Sequence, residues 1–303
     1  MYITLLSFYS GHVDRGVEVY AQELKRYLPA HRVDIISAPQ INWTKDFTSQ
    51  IATFTQHALT QLAHNPPDIL YPLNNRWQSI LCKLFCLRHK TKLVLGGHSG
   101  LGWDDKLNLW LFPDIFICFT HAQQRWAKAV NPFAKTAVIP HGVDTNKFSP
   151  IVSKAKLSLH KPIFLTVSKN ATLTIPTGSL FILQHIPHAQ MAQYYRAADS
   201  FVLASTPAEA FGLVYLEAMA CNLPVIATDD PIRREIIGDA GLFVANSQDD
   251  YSNVLKQVLE TKWSNKPRQQ ALKFSWNKII DRYDEVFNSL LSADKKLLTH
   301  KPV

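Results

Sequence analysis

Short apolar runs alternate with longer amphipathic stretches along most of the chain. The apolar run at 2–8 is followed by residues spaced to lie on one face of a helix, namely Val17, Tyr20, Leu24 and Leu28. The alternation continues with apolar runs at 31–37, 68–72, 92–96 and 114–119 and helical patterns at 48–63, 77–87 and 121–130. Strands that alternate with helices in this way predict an α/β fold with parallel sheets.

The second half of the chain repeats this alternation. We expect strands at 162–169, 180–184, 199–205, 223–228 and 241–245, helices at 191–198, 213–220, 250–261 and 277–291, and a helix or turn at 231–237. The chain has 303 residues and is 47% hydrophobic. It is therefore long enough to form two domains with a core each.

The stretch Thr206–Asp230 contains the most specific chemistry. Its helix, 213–220, begins at Gly212 between two carboxylates, Glu209 and Glu217. A helix N-terminus attracts phosphate because its backbone N–H groups are unpaired and the helix dipole is positive there. Carboxylates beside a phosphate bind hydroxyls instead, and a molecule with a diphosphate and many hydroxyls is a nucleotide sugar. The spacing alone leaves open a second interpretation, in which both carboxylates are solvated.

This stretch also resembles a known signature. The segment Glu209-Ala-Phe-Gly-Leu-Val-Tyr-Leu-Glu217, followed by Ala-Met-Ala-Cys-Asn-Leu-Pro-Val-Ile-Ala, resembles the E-x7-E motif of the family 4 retaining glycosyltransferases. The resemblance implies the GT-B fold, in which two Rossmann-like domains face a central cleft. It implies a first domain at 1–150, joined by a returning helix at 275–292, and a second, nucleotide-sugar-binding domain at 151–274. We expect the tail at 293–303 to be disordered.

Three further segments are similar to the same family. The loop ending in Arg15-Gly16 resembles its Gly-Gly-x-Glu loop, with Arg15 in place of one glycine. His98 follows a strand and two glycines, and the resemblance implies that it faces the donor sugar. The segment 139–144 resembles the I-P-N-G-V-D hinge between the two domains, with His141 in place of the asparagine.

The resemblance fails at the start of the expected second domain. The family has a Gly-Arg … Lys-Gly motif whose two cations hold the diphosphate. Here Lys169 takes the place of the arginine, and no second lysine follows. Fewer residues than in the family separate the hinge from Glu209, so we expect an abbreviated second domain that lacks at least one βαβ unit. Lys169, Arg15 and Arg233 are the candidate cations for the diphosphate.

Together these features imply a role for each residue. The expected reaction is a retaining, metal-independent transfer of a hexosyl group from a nucleotide-diphosphate sugar to a hydroxyl of a glycan or lipid-linked acceptor, as in polysaccharide biosynthesis. No cofactor and no metal site are expected. The catalytic residues would be Glu209, which holds the sugar hydroxyls, and His98 at the reacting face. The donor-binding residues would be Gly16, Arg15, Lys169, Phe211, Gly212, Leu213, Val214 and Glu217, the last on the nucleotide ribose.

Two other functions remain open. A degenerate GT-B protein that binds a nucleotide or a partner without catalysis is favoured by the missing segment. A sugar-nucleotide epimerase on the same fold would need a set of acidic and histidine acid–base residues, which is not evident in the sequence.

The net charge of +8 indicates anionic partners, such as a nucleotide diphosphate, a lipid phosphate or an acidic membrane surface. Nucleic acid is not expected, because the cations are scattered and no motif combines them with aromatic residues. The densest basic cluster fits either a solvated helix end or peripheral contact with an anionic membrane; it comprises Lys83, Arg88, His89, Lys90 and Lys92. No apolar run approaches the roughly 20 residues that cross a bilayer. We therefore expect a cytoplasmic protein, peripheral to the inner membrane face at most.

The four cysteines form no C-x-x-C pair. Cys82, Cys86 and His89 fall on one helical face, which raises the question of a metal site. No second pair of ligands follows them, so we expect buried free thiols.

Overall fold

The computed structural model describes residues 1–13, 16–151, 153–167, 178–184, 186–203, 210–245 and 248–298, without the side chains of 248–250 and 293–298. The chain divides into two compact units. Unit 1 comprises Met1–Pro140 and Asn277–Val303, and unit 2 comprises His141–Trp276. Each unit has its own parallel sheet, with helices between most of the successive strands, which makes both units Rossmann-like.

Six parallel strands form the sheet of unit 1, in the order β2-β1-β3-β4-β5-β6. They are β1 Tyr2–Leu6, β2 Arg32–Ile36, β3 Ile69–Pro72, β4 Lys92–Gly96, β5 Ile115–Cys118 and β6 Thr136–Val138. The register of β1 pairs Ile3 with Val33 on one side and with Ile69 on the other. The central strands are buried on both faces, which explains why they appear in the sequence as uninterrupted apolar runs.

Helices cover both faces of this sheet. They are α1 Gly16–Tyr27, α2 Phe47–Leu62, α3 Trp77–His89, α4 Trp103–Trp110 and α5 His121–Val130. Phe54 of α2 and Phe85 of α3 pack into one core cluster with strand residues such as Leu70 and Phe116. Thr120 begins α5, because its hydroxyl accepts a hydrogen bond from the backbone N–H of Gln123.

Five parallel strands form the sheet of unit 2, in the order β11-β10-β9-β7-β8. They are β7 Ile163–Thr166, β8 Ser179–Ile182, β9 Ser200–Leu203, β10 Val225–Thr228 and β11 Gly241–Val244. The helices are α6 Met191–Tyr195, α7 Leu213–Ala220, α8 Pro231–Ile237, α9 Gln248–Glu260 and α10 Lys266–Leu272. Phe164, Val202 and Ile226 of three neighbouring strands form a core cluster with Leu255 of α9.

The two units meet in the sequence at Pro140–His141, earlier than the boundary expected at 150. The guanidinium of Arg268 explains the difference. It donates hydrogen bonds to the carbonyls of Phe148 and Ala220, both at 2.6 Å, and of Thr145 at 2.8 Å. Hydrogen bonds from a charged donor are among the strongest in proteins, so they hold the segment after Pro140 against α7 and α10 of unit 2.

The last helix, α11 Trp276–Leu298, extends beyond the predicted 277–291. From Asn277 onward it belongs to unit 1, where the hydroxyl of Tyr283 accepts a hydrogen bond from that of Tyr20 at 3.1 Å. Positions 293–298, expected in a disordered tail, are helical because alanine, lysine and leucine favour a helix. Residues 299–303 lie outside the described part of the chain.

Helix α4 was not predicted, because its burial pattern is reversed. Its buried side chains include Asp105 and Asn108, whereas Trp103 and Trp110 are exposed. Asp104 and Asp105 both lie in the first turn of α4, where the helix dipole favours a carboxylate.

All four cysteines are buried free thiols. Burial raises the pKa of Cys86, Cys118 and Cys221 to about 12 and that of Cys82 well above its ordinary value. Across the described residues, no three His, Cys, Asp or Glu side chains group closely enough to hold a metal ion. No helix in that part of the chain is both long and apolar enough to cross a membrane.

Candidate active site

Gly212 forms the N-terminal end of α7 in a conformation that disfavours other residues. Its φ of +87° and ψ of 62° lie in the left-handed region, where a Cβ would be strained. The first N–H groups of a helix have no partner within it. Because Gly212 contributes no side chain, Leu213 and Val214, both half-buried, begin the helix at a position that a phosphate oxygen can approach.

Phe211 precedes this turn and is part of the core of unit 2. Its side chain is buried, and its ring centroid lies 5.0 Å from that of His141 and 6.3 Å from that of Phe274. Any contact of Phe211 with a donor would therefore involve its backbone.

Glu217 lies one turn inside α7 and is buried rather than solvated. Its side chain is only 8% exposed. Oε1 accepts a hydrogen bond from Nε2 of His188 at 2.6 Å, and Oε2 accepts one from the hydroxyl of Tyr195 at 3.0 Å. The interpretation of Glu217 as a helix-surface carboxylate is therefore excluded by its burial. A buried carboxylate with two oriented donors is held in one position.

The hydrogen-bond chain continues beyond Glu217. Nδ1 of His188 lies 2.8 Å from Nζ of Lys147, which can only donate. Nδ1 therefore accepts, and Nε2 bears the proton that is donated to Glu217. The sequence did not reveal His188, Tyr195 or Lys147 as partners, because they are far from Glu217 in the chain and each is unremarkable in its local pattern. The only sign of such partners in the sequence was Glu217 itself, an acidic residue in an otherwise apolar helix.

The sheet order places α7 beside a topological switch point. In unit 2 the chain leaves β7 towards β8 and returns to pair β9 on the other side of β7. Ligands of open α/β sheets bind at the carboxyl ends of the strands where the order reverses. Strands β7 and β9 flank the point where the order reverses. In the sequence, Lys169 follows β7 and Glu209 follows β9. Both residues lie outside the described part of the chain.

Arg233 lies in α8, directly after the carboxyl end of β10, the strand next to β9. Its side chain is 1% exposed, and Nη1 lies 3.3 Å from Oδ2 of Asp230. Among the described residues, Nε and Nη2 have no hydrogen-bond partner. A buried guanidinium with unsatisfied donors is costly unless an anion or water completes it. Asp230 itself caps α8 by accepting from the N–H groups of Ile232 and Arg233, as expected for a capping residue.

Unit 1 contains the other two described site residues, Gly16 and His98. Gly16 begins α1 after β1, and His98 follows the carboxyl end of β4. Tyr20, one turn into α1, has its ring centroid 5.0 Å from that of His98. The start of α1 and His98 therefore lie at the same edge of one sheet. Arg15 is outside the described residues.

His98 is held in an aromatic environment. Its Nε2 lies 3.0 Å from the hydroxyl of Tyr71, and its ring centroid is 4.8 Å from that of Phe119. Tyr71 is in turn hydrogen-bonded to Tyr20 at 3.2 Å. Burial lowers the pKa of His98 to about 3, so its imidazole is neutral at physiological pH. A neutral imidazole has one N–H to donate and one nitrogen to accept.

Gly96 makes room for this pair of side chains. A Cβ at Gly96 would overlap the Tyr71 hydroxyl and lie 2.8 Å from Nε2 of His98. Gly96 is thus explained by a close approach of side chains, and it needs no special backbone angle.

The structure therefore divides the predicted site residues into three groups. Phe211, Gly212, Leu213, Val214 and Glu217 come together around the start of α7 in unit 2. Gly16 and His98 share one sheet edge in unit 1. Arg15, Lys169 and Glu209 lie outside the described residues.

The two Rossmann-like units place the chain in the α/β class. Solved structures of other proteins share this fold. Sucrose-phosphate synthase from Thermosynechococcus elongatus is similar with a TM-score of 0.78 at 18% identity, over 96% of this chain and 99% of that one. HepE from Anabaena, in complex with UDP and glucose, is similar with a TM-score of 0.73 at 17% identity, over 95% of this chain and 100% of that one. At such identities the similarity shows the fold alone, and it confirms the expected class of two Rossmann-like domains, similar to those of GT-B glycosyltransferases.

The sequence comparison is more specific but covers less of the chain. Residues 166–274 match the family described as "Glycosyl transferases group 1". The O-antigen chain mannosyltransferase B of Escherichia coli is 34% identical over 105 residues, which are 33% of this chain and 27% of that protein. The match thus spans little more than a quarter of the relative's length. Over the matched part, the resemblance to glycosyltransferases is confirmed at the level of group 1.

Proposed function

We propose that the chain is a glycosyltransferase that moves a sugar from a nucleotide-diphosphate sugar to a hydroxyl acceptor, with retention of anomeric configuration and without a metal ion. The observation that carries the proposal is the start of α7, where the left-handed Gly212 precedes the buried and doubly hydrogen-bonded Glu217. The family match at 166–274 includes both residues. A nucleotide-sugar donor is supported by HepE, which was solved with UDP and glucose. A glycan acceptor is supported by the name of the Escherichia coli relative, and a lipid-linked acceptor remains the alternative.

The proposed transfer reaction determines which groups the site must contain. The bond between the anomeric carbon and the diphosphate oxygen breaks, and a bond to the acceptor oxygen forms. The acceptor's proton passes to the departing diphosphate oxygen, which gives the glycosylated acceptor and a nucleoside diphosphate. If attack and departure occur on the same face of the sugar, the configuration is retained. Negative charge grows on the departing oxygen, so the site needs positive groups directed at it.

Two described groups supply such positive charge in the proposal. The N–H groups of Leu213 and Val214 and the dipole of α7 attract the outer phosphate. Arg233, whose buried Nε and Nη2 have no partner among the described residues, is the cation that we assign to the diphosphate. Lys169 and Arg15 are the further candidates named from the sequence. This set would compensate for the lysine that the family motif has and this chain lacks.

The carboxylates are assigned to hydroxyls. A carboxylate oxygen accepts up to two hydrogen bonds. After the bonds from His188 and Tyr195, each oxygen of Glu217 retains a lone pair for a ribose hydroxyl. Glu209, the first residue of the segment that resembles the E-x7-E signature, would hold the hydroxyls of the donor sugar. His98 would act at the reacting face as a neutral hydrogen-bonding group, since its pKa is too low for a general acid at neutral pH.

A transfer assay with UDP-, GDP- and ADP-sugars tests the proposal. We expect turnover with at least one donor, a product with the donor's anomeric configuration by NMR, and no loss of rate in EDTA. Glu209→Ala should abolish turnover, whereas the matched control Glu260→Ala, an exposed carboxylate at the end of α9, should retain it. No turnover with any donor by the correctly folded protein would contradict the proposal and favour a protein that only binds a nucleotide.

A further inference from the structure

Unit 1 has a cavity of about 650 Å³ at the end of α3 that combines cations with exposed apolar side chains. It is lined by Lys83, Lys90, Lys92, Lys135, Leu87, Phe112 and Phe133, together with Cys86, Thr91, Pro113 and Asp114. We name the four lysines, Leu87, Phe112 and Phe133 the basic-apolar surface. Four lysines face a single carboxylate, that of Asp114, which lies 3.6 Å from Lys92.

The apolar part of this surface projects into solvent. Phe133 is 81% exposed and Leu87 is 67% exposed. Phe112 is also exposed, and its ring centroid lies 6.0 Å from that of Trp110, another exposed aromatic residue. Single exposed apolar residues are common, but several around one cavity indicate a contact surface.

The backbone holds these side chains in position. Phe112 has a φ of +47°, which is unusual for a bulky residue. Nζ of Lys83 donates a hydrogen bond of 2.6 Å to the carbonyl of Phe112. The lysine thus fixes the turn that presents the ring to solvent.

The basic-apolar surface lies away from the residues assigned to catalysis. Lys92 begins β4, and Lys135 immediately precedes β6. The surface is therefore at the amino ends of these parallel strands, whereas His98 follows the carboxyl end of β4. Changes at one edge of the sheet can be made without touching the other.

We propose that the basic-apolar surface binds an anionic lipid bilayer. Lysines near a negatively charged membrane surface each contribute about 1 kcal/mol to binding. Stable peripheral binding requires a second contribution besides charge. Apolar side chains that enter the membrane–water interface supply it. The aliphatic Leu87 and the projecting Phe133 find apolar partners among lipid chains but none on a nucleic-acid backbone, so a bilayer fits this surface better than a polyanion. This inference does not depend on the donor site.

The test is flotation with vesicles of phosphatidylcholine alone and of phosphatidylcholine mixed with phosphatidylglycerol. We expect binding to the anionic vesicles only, and loss of binding as added salt shortens the Debye length from about 10 Å to about 3 Å. The charge variant Lys90→Asn/Lys135→Gln should lower the partition coefficient about 30-fold. Asparagine is chosen at position 90 because Lys90 has a φ of +58°, which asparagine tolerates.

A second variant tests the apolar part, and two matched variants serve as controls. Phe112→Asn/Phe133→Asn should weaken vesicle binding at unchanged charge, again with asparagine at a position of positive φ. Trp43→Asn/Ile151→Asn removes two apolar residues that are also exposed, and Lys256→Gln/Lys262→Gln removes two exposed lysines. Both controls should bind vesicles as the unchanged protein does, and all variants should keep its melting temperature and its sugar transfer to an acceptor free of membrane.

Several results would overturn the proposal. They are absent binding to anionic vesicles, equal binding to both vesicle types, and unchanged binding by both surface variants. Binding of an oligonucleotide that only the surface variants lose would assign the surface to nucleic acid instead. A dimer that dissociates only in those variants would assign it to a second copy of the chain. Because flotation needs no turnover, it separates this inference from failure of the proposed enzymatic function.

Discussion

Nε2 of His188 donates a hydrogen bond to Oε1 of Glu217 at 2.6 Å, and this pair fixes the carboxylate on which the proposed donor site depends. The hydroxyl of Tyr195 holds the other oxygen, and Lys147 orients His188 from its far side. Glu217 is therefore both a structural and a candidate binding residue. The structural role predicts an effect of substitution on the free energy of unfolding, and the binding role predicts an effect on nucleotide affinity.

Glu217→Gln should weaken both folding and nucleotide binding. The amide NH₂ cannot accept a hydrogen bond, so one of the two donors, His188 or Tyr195, loses its acceptor while buried. We expect the free energy of unfolding, measured with urea, to fall by about 1–3 kcal/mol. Nucleotide affinity, measured by calorimetry, should fall as well.

Tyr195→Phe separates the two roles, because it removes one hydrogen bond and leaves the carboxylate in place. It should lower the free energy of unfolding but preserve most of the nucleotide affinity. Unchanged stability in Glu217→Gln would contradict the buried network.

Gly212→Ala should reduce the affinity for the diphosphate beyond its effect on folding. A left-handed conformation costs a residue with a Cβ about 1–2 kcal/mol, and the added methyl group obstructs the approach to the first N–H groups of α7. Gly238→Ala is the matched control, since Gly238 also has a positive φ, +53°, at the end of α8. Both variants should lose stability in urea, and only Gly212→Ala should lose affinity for a nucleoside diphosphate. Equal affinities in the two variants would exclude the start of α7 as the phosphate site.

Arg233→Met should leave the free protein at least as stable and should weaken nucleotide binding. The variant removes a buried cation whose Nε and Nη2 lack partners among the described residues, so the free energy of unfolding without ligand should stay the same or rise. A charge-assisted hydrogen bond to phosphate contributes about 1.5–3 kcal/mol, so nucleoside-diphosphate affinity should fall about 10- to 150-fold. Affinity for the nucleoside without phosphates should not change. A fall in stability together with unchanged diphosphate affinity would show that Arg233 has only a structural role.

The stability of the protein should respond to pH through His98. Its folded pKa of about 3 is below the unfolded value of about 6.5, so between these values the unfolded state binds more protons. The contribution of neutral His98 is fully present above pH 6.5 and is lost as the pH falls towards 3. His98→Gln lacks this titration. From pH 6.5 to pH 5 the unchanged protein should therefore lose about 1.6 kcal/mol relative to the variant. An identical difference between the two proteins at both pH values would contradict the low pKa.

Much of the fold was predictable because local pattern and tertiary structure agree. Helix α7 occupies the predicted 213–220, and β4 occupies the predicted 92–96. In these elements apolar periodicity coincides with burial. Helix α4 was missed because it buries Asp105 and Asn108 and exposes two tryptophans, which reverses the usual pattern.

The candidate site was predictable only in part. The sequence identified Gly212 and Glu217 from the order of strand, loop, helix and strand. It did not identify His188 or Tyr195, because hydrogen bonds between distant segments leave no periodic signal. Arg233 was named from the sequence as a candidate cation, but its burial was not predictable, since only the packing of α8 buries Arg233 and exposes Arg234 beside it.

Thermal unfolding with UDP-glucose, GDP-mannose and ADP-glucose tests the central claim, that the start of α7 and Glu217 bind a nucleotide-diphosphate sugar. At a concentration of about 100 times the Kd, a ligand stabilises the folded state by about 2.7 kcal/mol, which corresponds to a rise in Tm of about 4 °C for a protein of this size. We predict such a rise with at least one of the three donors, growing with donor concentration and strongly reduced in Gly212→Ala. An unchanged Tm with all three donors, or an equal rise in Gly212→Ala, would contradict the account.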